Sequence, residues 1–490
     1  MRIPPRRGLL LRHRDFRLLW CGETAGKFGA AVTSVAIPLI AVDRLDASTF
    51  EVGMLTAAAW LPWLLIGLPA GVWVDRLPRR GVMLASAAAS LLLYTSLPVA
   101  AWLGLLTIWL LLGVALLAGT AAVFFQTAYT AYLPGLLEPA DQAEGNAKLH
   151  GSASAAQLVG LGSGGVIAQA AGAVNGMLVN AGTFAVSLLC LGRIRHREPA
   201  TPHPDRDAHT MSADTNRAQT TSADTNCAHT TSADTNRART ISSGTERRAC
   251  TISPDTNRRP RTMSADIREG LALIAHDPWL RTLSLFSAAS NLALMGYQAI
   301  RVVFLVRTVG LSSGAVGALV AVASAGGILG AFLARRVADR FGTARATLVF
   351  ELGFALAGLL APAAFPGPGT ALFVAGGFFV VAGVVGGNVV KAGFHQRYCP
   401  PDLLGRITAT SSFLGYATIP LGALLGGTLG ELFGPRPAMW LTCAAIPLSA
   451  VILLCSPLSH TRDLPTEPPQ RAADVPVAGL RETTAADSSR

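Results

Sequence analysis

A dozen apolar stretches, each long enough to cross a bilayer, run through this 490-residue chain and leave it few ways to fold. A membrane-crossing helix needs roughly 20 mostly apolar residues. Such stretches fall at 16–42, 51–73, 81–103, 105–128, 152–172 and 174–193, then at 280–306, 313–334, 345–365, 370–391, 408–430 and 437–456. The predicted architecture is all-α and integral to the membrane, with 12 transmembrane helices in two six-helix lobes. A short N-terminus (1–15) leads into the first lobe (16–193). A polar insert (194–264) and a surface-lying helix (265–279) lead into the second lobe (280–456), and a polar tail (457–490) follows.

Composition agrees. Hydrophobic residues make up 51%, charged residues only 14%, and the mean hydropathy is +0.44. A soluble domain carries about 25% charged residues. The 50 glycines suit membrane helices, where small residues let backbones approach closely. A net charge of +11 in a soluble protein would suggest nucleic acid, but the placement of the charge excludes that partner here. Of the 40 Lys and Arg, 35 fall on one side of the proposed topology. With the long insert set aside the split is 21 against five (Lys27, Arg44, Arg301, Arg307 and Arg436). The positive-inside rule therefore puts both termini and the insert in the cytoplasm. Arg outnumbers Lys 37 to 3, which suggests a GC-rich bacterial genome and hence a bacterial inner membrane.

The seven cysteines are odd in number, contain no C-x-x-C pair and lie in spans or on the cytoplasmic side, where thiols stay reduced. The first apolar run is too long for a cleavable signal, so the first span is expected to remain as an anchor. No nucleotide-binding G-x-x-x-x-G-K-[ST] loop, H-E-x-x-H or G-x-S-x-G elbow is present, so neither an ATP-driven pump nor a hydrolase is supported. The expected partners are the lipid bilayer and a small-molecule substrate, with the chain acting as a monomer and without a cofactor.

The insert reads unlike its surroundings. Ser-Ala-Asp-Thr-Asn occurs at 212–216, 222–226 and 232–236, with decayed copies near Ser242, Ser253 and Ser264. Ser, Thr, Asp, Asn and Arg with almost no large apolar residue cannot form a core, so disorder is expected here and in the tail. An expanded repeat in a tolerant loop accounts for the pattern, and a tether to anionic lipid is the competing reading. Ile267, Leu271, Ile274 and Ala275 share one helical face, consistent with a helix along the membrane surface. Trp279 would sit at headgroup depth.

Between the second and third spans the chain reads Gly71-Val-Trp-Val-Asp75-Arg76-Leu-Pro-Arg79-Arg80. This resembles the signature loop of the major facilitator superfamily. Gly71 would allow close helix approach, and Asp75 could accept from a helix N-terminus or from an Arg across the lobe interface. Arg76, Arg79 and Arg80 would hold the loop at the headgroups, and making or breaking such contacts would bias an inward–outward equilibrium. The second lobe's cognate loop, Gly330 to Arg345, has Ala334 at the fourth position after its glycine, with Asp339-Arg340 five residues later.

Further short stretches are similar to one branch of that superfamily, the efflux transporters that include macrolide-efflux and enterobactin-exporter proteins. They are Phe16-Arg17-Leu-Leu-Trp20, Leu133-Pro134 with Asn146-Ala147, Glu269-Gly270 with Leu280-Arg281, and Gln396-Arg397 with Pro401 and Gly405-Arg406. The resemblance implies the major facilitator fold, with inverted repeats around a central cavity. It also implies export of amphipathic small molecules, drugs or siderophore-like compounds, in exchange for protons. Three departures weaken the proton coupling. The fourth span has no Arg, Leu161 stands where the antiporter pattern of span five has proline, and Ala30 stands where the branch often has an acid. Uptake or facilitated diffusion is the alternative, and a non-transporting receptor or scaffold is a third reading.

Charge at membrane depth costs at least about 2.5–3.5 kcal/mol on insertion scales and marks function by default. Glu23 and Lys27, four apart on span one, share a face and can pair. Glu23 is a candidate proton carrier, and a static ion pair is an equal alternative. Arg301 sits in span seven with Gln298 and Asn291, which suggests a polar face for substrate or gating. Glu351 is expected to pair with an Arg of the eighth-to-ninth loop. Gln126, Gln157 and Asn388 are expected to bond between helices.

Overall fold

The computed structural model describes residues 9–139, 141–195, 272, 274–399 and 401–466. Among them the twelve long helical segments are α1 (Arg14–Leu45), α2 (Thr49–Asp75), α3 (Arg79–Trp102), α4 (Ile108–Leu136), α5 (Gln142–Ala171) and α6 (Ala173–Arg193) in the first lobe. The second lobe has α7 (Pro278–Thr308), α8 (Ser313–Phe341), α9 (Thr343–Ala363), α10 (Thr370–Tyr398), α11 (Pro401–Phe433) and α12 (Pro435–Leu454). Eleven are both long and apolar enough to cross a membrane. The remaining one, α5, has 30 residues, but its serines and glycines and the glutamines Gln157 and Gln169 dilute its hydropathy. Helices are the expected answer in hydrocarbon, because they satisfy every backbone polar group within the segment.

Helix ends are set by local chemistry. Ser48 caps α2 through a capping box with Glu51, and Asp277 caps α7 by accepting from the amides of Trp279 (2.9 Å) and Leu280 (3.0 Å). One glycine with positive φ makes the turn between α5 and α6 (Gly172, φ 86°), and another makes the equivalent turn between α11 and α12 (Gly434, φ 85°). The same one-residue device at matching positions is consistent with two related lobes.

The glycine run of α5 is a packing surface. Gly160 lies against the carbonyl of Phe28 and the side chain of Ala31, and Gly164 against Val32, so α5 nests on α1. Gly165 meets Gly317 of α8 in the other lobe. These contacts make the run a close-packing surface.

The described segments nearest the two termini are tied to the bundle at the end where α6 finishes and α7 begins, here the terminal end. Leu9 is buried with Phe16 and Leu137, Arg12 pairs with Asp141, and the amide of Leu9 donates to Glu144 at 3.2 Å. The tail is structured through residue 466, further than expected. Thr343 N–H donates to Asp463 (2.9 Å), Leu464 N–H donates to Thr343 Oγ1 (2.8 Å), and Leu458 and Leu464 are buried. Two apolar side chains in an otherwise polar segment anchor it. Most of the insert and of the expected surface helix lies outside the described residues; Ile274 is buried, and α7 starts at Pro278.

Candidate functional site: a charged cavity and a closed far end

At the end away from the termini, the far end, the lobes are joined. Arg307 of α7 donates from one Nη2 to Asp46 Oδ1 at 2.7 Å and to the carbonyl of Ala47 at 2.9 Å. Ser313 of α8 donates to Asp43 of α1 at 2.9 Å. Below these contacts α2 crosses α11 at Gly53 and Gly427. A methyl group on Gly53 would stand 2.7 Å from the Ala423 oxygen and 2.9 Å from Gly427 Cα, so no side chain fits. Nearer mid-helix Trp60 and Trp63 of α2 meet Tyr416 of α11, with centroids 6.1 and 5.6 Å apart. This three-ring contact joins the lobes through α2 and α11.

The terminal half holds a cavity of about 420 Å³ lined by α1, α4 and α5. Glu23 and Lys27 contribute from α1, Gln126, Tyr129 and Thr130 from α4, and Gln142, Asn146 and His150 from α5. Leu137 and Gln142 flank the α4–α5 loop, so the cavity reaches the terminal end. Glu23 and Lys27 pair at 3.1 Å; the carboxylate side chain is 9% exposed and the lysine 43%. Glu23 lies nine residues into α1, about 13 Å deep. The pair can exchange with water through its lysine side while its acid is kept from the bulk.

The other expected site residues divide. Gln126, expected as a helix-to-helix bond, lines this cavity instead. Asn291 donates to the Gly415 carbonyl at 3.3 Å within the second lobe, and Gln298 contacts Met295 Sδ at 3.8 Å. Neither lines the cavity with Glu23. Arg301 has its Nε buried with no hydrogen-bond partner among the described residues.

The signature loop differs from expectation in its contacts. Nothing lies within 4 Å of the place where a side chain on Gly71 would start, so it makes no close helix approach in this conformation. Asp75 is 69% exposed and 3.9 Å from Arg79 on its own chain segment, rather than bonded across the lobes. Arg79 donates to the Ala131 carbonyl (2.9 Å) at the end of α4, and Arg80 to the carbonyls of Leu191 (3.2 Å) and Gly192 (2.8 Å) at the end of α6. Through these bonds the loop is held to the ends of α4 and α6. In the cognate loop Asp339 pairs with exposed Arg335 at 3.6 Å, and Arg340 lies over the Phe341 ring.

One charged pair escapes the reading of the sequence. Glu351 pairs with Lys391 of α10 at 2.7 Å, not with an Arg of the eighth-to-ninth loop. Lys391 falls at the edge of an apolar stretch, where it reads as loop charge. Its place seven residues inside α10 is set by the helix running on to Tyr398.

A family model described as "Transmembrane secretion effector" matches residues 10–231, and the "Major Facilitator Superfamily" model matches residues 285–486. The "Multidrug efflux pump Tap" of Mycolicibacterium fortuitum is 26% identical over 463 residues, covering 92% of this chain and 97% of the relative. The protein of the same name from Mycobacterium tuberculosis (strain ATCC 25618 / H37Rv) is 25% identical over 466 residues, covering 92% and 95%. Among solved structures, the D323A mutant of the nucleoside transporter NupG superposes with a TM-score of 0.67 at 10% identity, covering 90% of this chain and 99% of that one. A bacterial homologue of the iron transporter ferroportin in an inward-facing state gives 0.65 at 14% identity, covering 91% and 99%. At these identities the structures speak to the fold alone.

Proposed function

The chain belongs to the major facilitator superfamily, on the branch of its efflux transporters, and from that premise we propose that it exports amphipathic small molecules in exchange for protons taken up at Glu23. It is a multi-pass membrane transporter rather than an enzyme. In the proposed orientation the terminal end faces the bacterial cytoplasm, as the distribution of Lys and Arg requires, and a single chain forms the working unit.

The observation that carries the reading is a carboxylate–lysine pair at membrane depth on the wall of a cavity that reaches the terminal end, while the far end is closed. In this inward-facing state cargo enters from the cytoplasm or inner leaflet. Trp60, Trp63 and Tyr416 offer it aromatic faces, and the tyrosine, glutamine and asparagine groups offer exchangeable hydrogen bonds. Arg301 is available to an anionic group of a cargo that travels deeper. A proton arriving at Glu23 leaves Lys27 without its counter-ion, and the lysine reaches water at the cavity wall. Alternating access then follows from breaking the far-end contacts and closing the terminal end.

Ethidium accumulation in an efflux-deficient bacterial host tests this. Wild-type cells should hold less dye than cells without the protein, and an uncoupler should abolish the difference. Glu23→Gln should raise accumulation to the uncoupled level with the protein still present in the membrane. Undiminished gradient-driven efflux by that variant would remove Glu23 from the mechanism, and dye that falls on uncoupling would indicate uptake instead.

A further inference from the structure

The second lobe carries a charged pair that the cavity does not use. Glu351 is 5% exposed, Lys391 is 12% exposed, and they bond at 2.7 Å between α9 and α10. Glu351 lies eight residues into α9, about 12 Å from its start, and Lys391 seven residues from the end of α10, about 10 Å. Both are therefore at the depth of Glu23, measured from the same end.

Four features of the surroundings are arranged around this pair. Residues Val349–Phe354 of α9 form a π-helical turn, and Glu351 sits inside it, so the extra residue re-aims the carboxylate toward α10. Gly387 of α10 faces the carboxylate directly, and a side chain there would collide with Glu351 Oε1. Gly383 and Gly386 accommodate Phe350 in the same way, so the seam is cut to this shape. The Lys391 ammonium also lies 4.9 Å from the centroid of the Phe286 ring of α7, which gives it a second favourable contact.

Burying two charges to hold two helices together gains little. An apolar pair of the same volume does as well or better, so a sealed ion pair calls for another explanation. The second contact of Lys391 supplies one. If Glu351 takes up a proton, the ammonium keeps its contact with the Phe286 face.

We propose that Glu351 is a second proton-binding site, in the second lobe, loaded from the terminal-end water past Lys391 and His395 while Lys391 stays charged on Phe286. This rests on the reading of the chain as a proton-driven exporter and adds a second carboxylate to it. The step adds one proton from water to a Glu351 carboxylate oxygen, breaks the ion pair and changes the local net charge from zero to plus one. The reverse step returns the proton to water. Among the described residues, the titratable groups around Glu351 are Lys391 and, one turn on, His395, whose ring nitrogen lies 2.9 Å from the Lys391 carbonyl. From α7 only the Phe286 ring takes part. The charged residues of α8 (Arg335, Arg336, Asp339 and Arg340) and Arg345 of α9 are exposed, and those of α8 meet other partners: Arg335 pairs with Asp339, Arg336 lies over Phe332 and Arg340 over Phe341.

Infrared pH-difference spectroscopy on the purified full chain tests this without any cargo. In Glu23→Gln protein, acidification should still produce the C=O stretch of a protonated, buried carboxyl. Adding Glu351→Gln should remove that band. Identical spectra from the two proteins, over the pH range in which both stay folded, would overturn the proposal. If Glu351→Gln strands Lys391 and the protein does not fold, Glu351→Gln with Lys391→Met keeps the seam uncharged and serves in its place. In vesicles with an imposed pH gradient, this charge-free pair should lose uphill ethidium efflux; undiminished efflux from it would mean that the pair only packs helices. Failure of Glu23→Gln alone to change efflux would count against the first site and leave the infrared result at Glu351 standing.

Discussion

A carboxylate–lysine pair in the first lobe and another in the second lie at nearly the same depth, and the two are built in opposite ways. Glu23 and Lys27 lie on one helix, four residues apart, with the lysine 43% exposed on a cavity wall. Glu351 and Lys391 come from two helices, and both are sealed. In the first pair water reaches the lysine, which screens the attraction and lets that partner stay solvated alone, while its carboxylate is largely covered. Removing one member of a buried pair leaves an uncompensated charge and costs about 3–5 kcal/mol. The same two residue types therefore serve access in one lobe and tight coupling between helices in the other.

The largest test of this contrast is Lys391→Met. It should lower unfolding stability in detergent by about 3–5 kcal/mol, and Glu351→Gln in the same chain should restore most of the loss. Lys27→Met should cost less than Lys391→Met in the same denaturation, because its carboxylate partner lines a cavity that reaches the terminal end. Equal losses would break the comparison.

Next in size is Gly427→Leu. A methyl group on Gly427 would stand 3.1 Å from both Gly53 Cα and the Thr49 oxygen, so a leucine should oppose the closed far end by about 1–3 kcal/mol. Because that shift closes the terminal end, thiol labelling of a Lys27→Cys reporter should slow in the Gly427→Leu background. Unchanged labelling would mean that the first-lobe pair does not depend on the state of the lobes.

Arg307→Ala removes a bond to Asp46 that is largely in water, so its effect on the same labelling should be smaller, about 1 kcal/mol or less, and should fade as salt is raised. Smallest is Asp75→Asn. With its carboxylate 69% exposed and 3.9 Å from Arg79, it should change stability by less than about 0.5 kcal/mol.

Much of the architecture was legible in the chain itself. Apolar length placed all twelve helices, missing their ends by up to ten residues where a polar run such as Gln142–Ser152 continued a helix beyond the hydrocarbon. The spacing of Glu23 and Lys27 on one helix showed their pairing, because neighbours four apart meet on any helix. The partner of Glu351 was hidden for the converse reason. Lys391 is 40 residues away on another helix, and its contact depends on the π turn at Val349–Phe354 and on the gap left by Gly387. The loop around Asp75 and Arg79 was recognisable as a motif, while its contacts depend on which end of the lobes is apart.

The amino-acid order by itself determined that this chain crosses the membrane in two sets of six helices, since apolar length and the placement of Arg answer to the bilayer alone. Only the tertiary structure decided which charges face water and which face each other, where the lobes touch, and that Trp60, Trp63 and Tyr416 meet between them. Those outcomes turn on differences of one methyl group at glycine crossings and on one residue of helical register. Packing resolves such differences through contacts between segments far apart in the chain, where local pattern carries no information.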